Sequence, residues 1–143
     1  MKYRHVGFGA KIINCSIAQA ALVLARESIL HEFLAIKVNE YIIPFDDDHI
    51  SYYSVINQNG IGLIGSSFIH VMLGPLTGTA ADYLSGGKNK SRLVFIKLNN
   101  DERILISVEE DYYRTIRSKR KKKRNEIDRD DERWIEDAID VSL

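Results

Sequence analysis

Cysteine is nearly missing from this chain: Cys15 is the only one in 143 residues. No disulfide can form within the chain and no thiolate metal cage can be built, a usage that suits a reducing compartment. Proline occurs twice, at Pro44 and Pro75, and tryptophan once, at Trp134. Formal charge is missing from the middle of the chain. Between Asp48 and Lys88 the single charged side chain is Asp82, and seven of the nine glycines fall in that stretch. The N-terminal MKYRHVGFGAK has no apolar run directly behind its charges, which argues against a cleaved secretory signal.

Catalytic patterns are wanting too. The four histidines, His5, His31, His49 and His70, show neither H-x-H nor i,i+4 spacing. Ser66-Ser67 beside His70 reads more readily as packing on one helical turn than as a nucleophile with its base. Gly7-Phe8-Gly9 lacks the further glycine and the strand–turn–helix setting of a dinucleotide loop. Asp46, Asp47, Asp48 and His49 offer ligands to a hard cation, but no glycine shapes the loop and no bidentate Glu follows, so a solvated turn is the stronger reading. Cys15 reads as a small packing residue. Together these absences argue against an enzyme, a metal, a cofactor or a small-molecule substrate.

What is present is segregated. Residues 1–113 hold ten basic and twelve acidic side chains, residues 114–124 eight basic and none acidic, and residues 125–143 two basic and eight acidic. The overall neutrality therefore hides a basic run followed by an acidic tail. The length fits one domain, residues 1–118, and a charged extension, residues 119–143.

Short apolar, β-branched stretches at 33–38, 41–45, 50–56, 93–98 and 103–108 read as strands. Asn99-Asn100-Asp101-Glu102 is a polar turn cluster between the last two. Pairing Leu98 with Ile104, Ile96 with Ile106 and Val94 with Val108 gives one wholly apolar face, across a loop of about three residues. Pro44 belongs at a sheet edge or a bulge. Ser107-Val-Glu-Glu110 has the spacing of a capping box and predicts a helix from about 109 to 120. Residues 16–30 stay open: Ser16-Ile-Ala-Gln19 could cap a helix, and ALVLA at 21–25 is equally a buried strand.

Residues 59–87 read as an insertion into this β-domain. The 21 residues 61–81 carry no charge and are long enough to cross a bilayer, but their glycines and Pro75 favour short helices or turns packed on the domain. Gly74-x-x-x-Gly78 suits a close helix contact.

An apolar strand ending Ile-Ile-Pro-Phe-Asp-Asp at 42–47 is followed by ISYYSVI, then by a Gly-rich segment containing Gly74-Pro-Leu-Thr-Gly78. A return bearing Lys88 and Lys90, a hairpin and VEEDYYRTI at 108–116 complete the order. Over residues 16–118 that order resembles bacterial pleckstrin-homology-like domains. The resemblance implies an α+β fold, a small bent antiparallel β-barrel closed by a C-terminal helix, with strand rather than helix at 21–25 and a Gly-rich insertion before the last hairpin. It implies a non-catalytic platform for peptides, proteins or membranes. No paired basic residues lie between the early strands, which argues against an inositide headgroup site.

Three partner classes follow. A protein partner would be engaged by the insertion, through Phe68 and Leu73, or by a C-terminal helix bearing Trp134, Ile135, Ala138 and Ile139, whose stripe must either dock back or bind a partner. The alternatives are peripheral membrane association through the insertion and the basic run, and nucleic-acid association through the run alone. That run, Arg117, Lys119, Arg120, Lys121, Lys122, Lys123 and Arg124, would attract polyanions with little sequence preference, or be a solvated helix end. Location in the cytoplasm, or at the inner membrane face, fits these readings, and homo-oligomer formation stays open.

Overall fold

β-Strands dominate the computed structural model, which describes residues 2–28, 30–56, 92–118 and 127–142. They are β1 (Lys2–His5), β2 (Ala10–Cys15), β3 (Ala20–Ser28), β4 (His31–Val38), β5 (Tyr41–Pro44), β6 (Ile50–Ile56), β7 (Arg92–Leu98) and β8 (Arg103–Val108). Helices α1 (Glu110–Tyr113) and α2 (Arg129–Ser142) follow. Two four-stranded sheets form, in the orders β1-β3-β4-β5 and β2-β8-β7-β6, with every ladder antiparallel. The architecture is α+β, and among the described residues the two sheets do not join into a closed barrel.

The register of β3 against β4 decides the open segment. Leu22 pairs with Ile36 and Leu24 with Leu34, all facing the core, while Val23 pairs with Ala35 and Ala25 with Phe33 on the other face. Both faces are buried. A strand buried on both sides reads as a continuous apolar run, which is why periodicity left helix and strand equal there. Ser16 caps no helix: its hydroxyl oxygen accepts the Arg103 N–H at 2.7 Å, tying the turn before β3 to β8.

Two further expectations are corrected. The β7–β8 hairpin keeps its apolar face but shifts by two residues, pairing Ile96 with Ile104 and Val94 with Ile106. A two-residue shift leaves every side chain on its face, so hydrophobic pattern alone cannot exclude it. The turn decides. Leu98 and Glu102 bracket a three-residue loop in which Asp101 adopts φ 68°, a left-handed conformation that Asp tolerates.

The predicted helix over 109–120 shrinks to one turn, Glu110–Tyr113. Ser107 stays in β8, Glu109 stands at the N-cap with no side-chain cap, and Glu110 pairs with Arg92 and Arg114 instead of reaching back. Tertiary hydrogen bonds draw the following residues out of the helix. Thr115 Oγ1 accepts the Leu34 N–H at 3.1 Å, and the Arg117 N–H reaches the Phe45 carbonyl at 2.9 Å.

The main core lies between the sheets. Leu22, Leu24, Leu34, Ile36 and Phe45 of one side meet Val94, Ile96, Ile104, Ile106 and Val108 of the other. Tyr112, Tyr113 and Ile116 pack against this core. Pro44 sits on β5, an edge strand, where its missing N–H leaves no gap in the ladder.

Candidate interaction surfaces

The candidate residues fall in three regions of the chain: the C-terminal helix, the basic run and residues 57–91, which depart from one end of the second sheet. α2 begins with Asp130, Asp131 and Glu132 in its first turn, where the helix dipole favours acids. Ile135, Ala138 and Ile139 are all but fully buried, and Trp134 is partly so. They pack on the outer face of the second sheet, against Tyr52, Ile56, Leu93, Phe95 and Leu105. The Trp134 ring lies 5.9 Å from that of Phe95, tilted at 56°. Burial of each isoleucine is worth about 1.5–3 kcal/mol. Of the two fates open to this stripe, the structure displays the docked one, so these four residues are engaged within the chain.

A polar lock accompanies that packing. Lys97 and Arg103 stand directly opposite each other on β7 and β8, an arrangement that like charges disfavour. Asp131 descends between them with its side chain fully enclosed, 3.1 Å from Lys97 Nζ and 2.7 Å from Arg103 Nε. The Tyr52 hydroxyl donates to the same carboxylate. Burial alone would raise the Asp131 pKa, but hydrogen bonds from Tyr52, Arg103 and Lys97 outweigh it and hold the carboxyl below its ordinary range. The Tyr52 phenol is pushed well up, first by burial and then by the adjoining carboxylate. At neutral pH the lock is an anion between two cations. Sequence reasoning missed Asp131, because the register read from the sequence did not set Lys97 opposite Arg103; the observed register does.

Of the basic run, Arg117 is described and Lys119, Arg120, Lys121, Lys122, Lys123 and Arg124 lie outside the described residues. Arg117 has protein partners: its guanidinium is 3.1 Å from Glu27 and lies 4.7 Å from the centre of the Phe33 ring. Phe68 and Leu73, with Ser66, Ser67, His70 and the whole insertion, also lie outside the described residues. Their point of departure is described. Ile56 pairs with Leu93, Arg92 with Val108 and Val108 with Ala10, so β6 ends and β7 begins at the end of the second sheet where β2 starts.

Among the described residues, recesses of about 180 Å³ lie beside Asp48, His49 and Asn99, and beside Lys2, Arg4 and Arg26. Asp46 holds a turn, accepting the N–H groups of Asp48 and His49 at 3.1 Å each and lying 2.7 Å from His49 Nδ1. Among the described residues no group of three His, Cys, Asp or Glu side chains could hold a metal. Cys15 is half-buried, and burial raises its thiol pKa, away from the reactive thiolate. Among the described residues no helix is long and apolar enough to cross a membrane. No protein family, curated protein or solved structure was found to match the chain.

Proposed function

We propose that this chain is a non-catalytic binding module of pleckstrin-homology-like type, engaging a protein partner through the apolar insertion at residues 59–87. One observation carries the choice of insertion over helix. The apolar stripe of α2 is already covered by the second sheet and fastened by Asp131, so a partner would have to displace it at the cost of that packing and of a buried ion cluster. The insertion leaves from a single end of the same sheet, between Ile56 and Arg92. Its uncharged residues, Ile64, Phe68, Met72 and Leu73 among them, suit an apolar interface core.

The test is comparative affinity purification from the native host. Wild type is set beside a variant with Ile64, Phe68, Met72 and Leu73 each changed to Ser, and beside a truncation lacking residues 127–143. A protein retained by wild type and by the truncation, and lost with the Ser variant, supports the reading. Equal retention by the Ser variant, its Trp134 fluorescence unchanged, overturns it.

A further inference from the structure

The outer face of the first sheet is buried, yet the described contacts there come from its own strands and from one arginine. Val23, Ala25 and Ala35 are 0% exposed and Phe33 is 2% exposed. The pairings Val23–Ala35 and Ala25–Phe33 put all four on the face turned away from the main core. Neighbours within a sheet shield the flanks of a side chain but not its top, so complete burial on an outer face requires a second layer.

Among the described residues, the patch is bordered by Ile42 of the same sheet and by Arg117, whose guanidinium lies over the Phe33 ring. Its rim is open. Tyr3, paired with Ala25, is 42% exposed, and His5, paired with Val23, and Arg117 are exposed as well. A buried centre inside an open rim is the footprint of a segment narrower than the sheet.

Two stretches outside the described residues are long enough to supply it. Residues 119–126 are Lys and Arg but for Asn125 and Glu126, and burying such charges against alanine and phenylalanine is costly. They also have to carry the chain from Arg117, at the first sheet, to Ile127, packed with α2 on the far face of the second. Residues 57–91 have the opposite character. Their charges are confined to Asp82, Lys88 and Lys90, and Ile61, Leu63, Ile64, Phe68, Met72 and Leu73 gain from being covered. Their reach is sufficient. They depart beside Arg92, which pairs with Val108, and the chain from Val108 to Arg117 makes the same journey to the Phe33 ring. The segment 57–91 is several times that length, enough to go out, lie on the sheet and return. The patch has low relief, with alanine at 25 and 35, which suits close approach by glycine-rich chain.

We infer that residues 59–87 dock on the outer face of the first sheet, with apolar side chains from 61 to 73 over Val23, Ala25, Phe33 and Ala35. Each sheet is then covered from outside by one segment, the second by α2 and the first by the insertion. One side of the insertion belongs to the fold, and its remaining apolar side chains are those open to the partner proposed above.

The inference does not depend on that partner, and its test uses the purified full chain alone. Cys15→Ser removes the only native thiol. Ala35→Cys is then combined with one cysteine at each position from 61 to 73 and, for comparison, at each from 119 to 126. Under mild oxidation by copper–phenanthroline, at least one position in 61–73 should crosslink to position 35 within the monomer, tenfold above any in 119–126, with Trp134 emission unchanged. The same scan from Val23→Cys keeps the test valid should Ala35→Cys fail to fold. Crosslinks confined to 119–126, crosslinks only between two copies, or none from either site overturn the inference. Replacing residues 59–87 by a short Gly-Ser linker should raise anilinonaphthalene sulfonate fluorescence several-fold by uncovering the patch, and an unchanged signal overturns it as well. If trapping succeeds while purification from the host recovers no partner, the docking stands and the partner reading fails; the reverse result keeps the partner and removes the docking.

Discussion

Asp131 shows how one side chain can hold an element in place. Asp131→Asn removes the anion and leaves Lys97 facing Arg103 across the hairpin. The loss should be about 2–4 kcal/mol, below the top of the range for wholly buried pairs because both cations keep some contact with water. A lowered urea midpoint with unchanged slope would report it. The pH dependence has a definite sign. The folded-state pKa is depressed, so the stabilisation is complete above the unfolded value of about 4 and is lost as pH falls from there through the folded value. Stability of wild type should therefore fall more steeply below pH 4 than that of Asp131→Asn, as thermal melts at stepped pH would show.

Gly9 is a second residue-scale case. Gly9→Ala drives a methyl against the Tyr112 ring and the Glu109 carboxylate, and should cost about 1–3 kcal/mol. The corresponding change at exposed Phe8 should leave the melting temperature nearly unchanged, since no folded contact is lost. Glycine is needed at position 9 by crowding alone, a requirement invisible in the tripeptide Gly7-Phe8-Gly9.

α2 is the element whose fate was most open. Its stripe was legible, because Trp134, Ile135, Ala138 and Ile139 recur at helical spacing beside exposed acids. What that stripe covers was not legible, since the spacing is the same whether the other surface is this chain's or another's. Ile139→Ala removes part of the seal and should destabilise by about 2–4 kcal/mol. Trp134 is the sole tryptophan, so its emission reports docking directly: a red shift in Ile139→Ala before the global transition would show α2 leaving first. The hairpin teaches the complementary lesson. Its apolar face was readable from alternation, but its register was set by Asp101 in a left-handed turn, and a shift of two residues costs the pattern nothing. Helix α1 failed as predicted because Thr115 and Arg117 have better hydrogen-bonding partners in β4 and at Phe45 than in a continuing helix.

Across the whole molecule, the second sheet is covered on both faces, by the first sheet and by α2. Deleting residues 127–143 uncovers Tyr52, Ile56, Leu93, Phe95 and Leu105 together. An exposed sheet face of this kind promotes association, so the truncated chain should run as dimers or larger species by size-exclusion chromatography with light scattering. The same deletion removes most of the acidic tail beside the basic run. If the tail masks residues 117–124, elution from heparin should move to higher salt; elution at the same or lower salt would dismiss the masking.

The sequence by itself determined the local facts: the strands from residue 33 to 56 and from 93 to 108, the apolar face of the last hairpin, the amphipathic α2 and the segregation of charge. These follow from periodicity and composition, which are properties of neighbours along the chain. It did not reveal β1 and β2, whose residues are mostly exposed or half-buried and so lack a strong pattern. Tertiary structure alone decided the hairpin register, the length of α1, the placing of Asp131 between Lys97 and Arg103, and the crowding of Gly9 against Tyr112. Each of these joins residues far apart in the chain, through contacts whose energy depends on what the fold brings opposite.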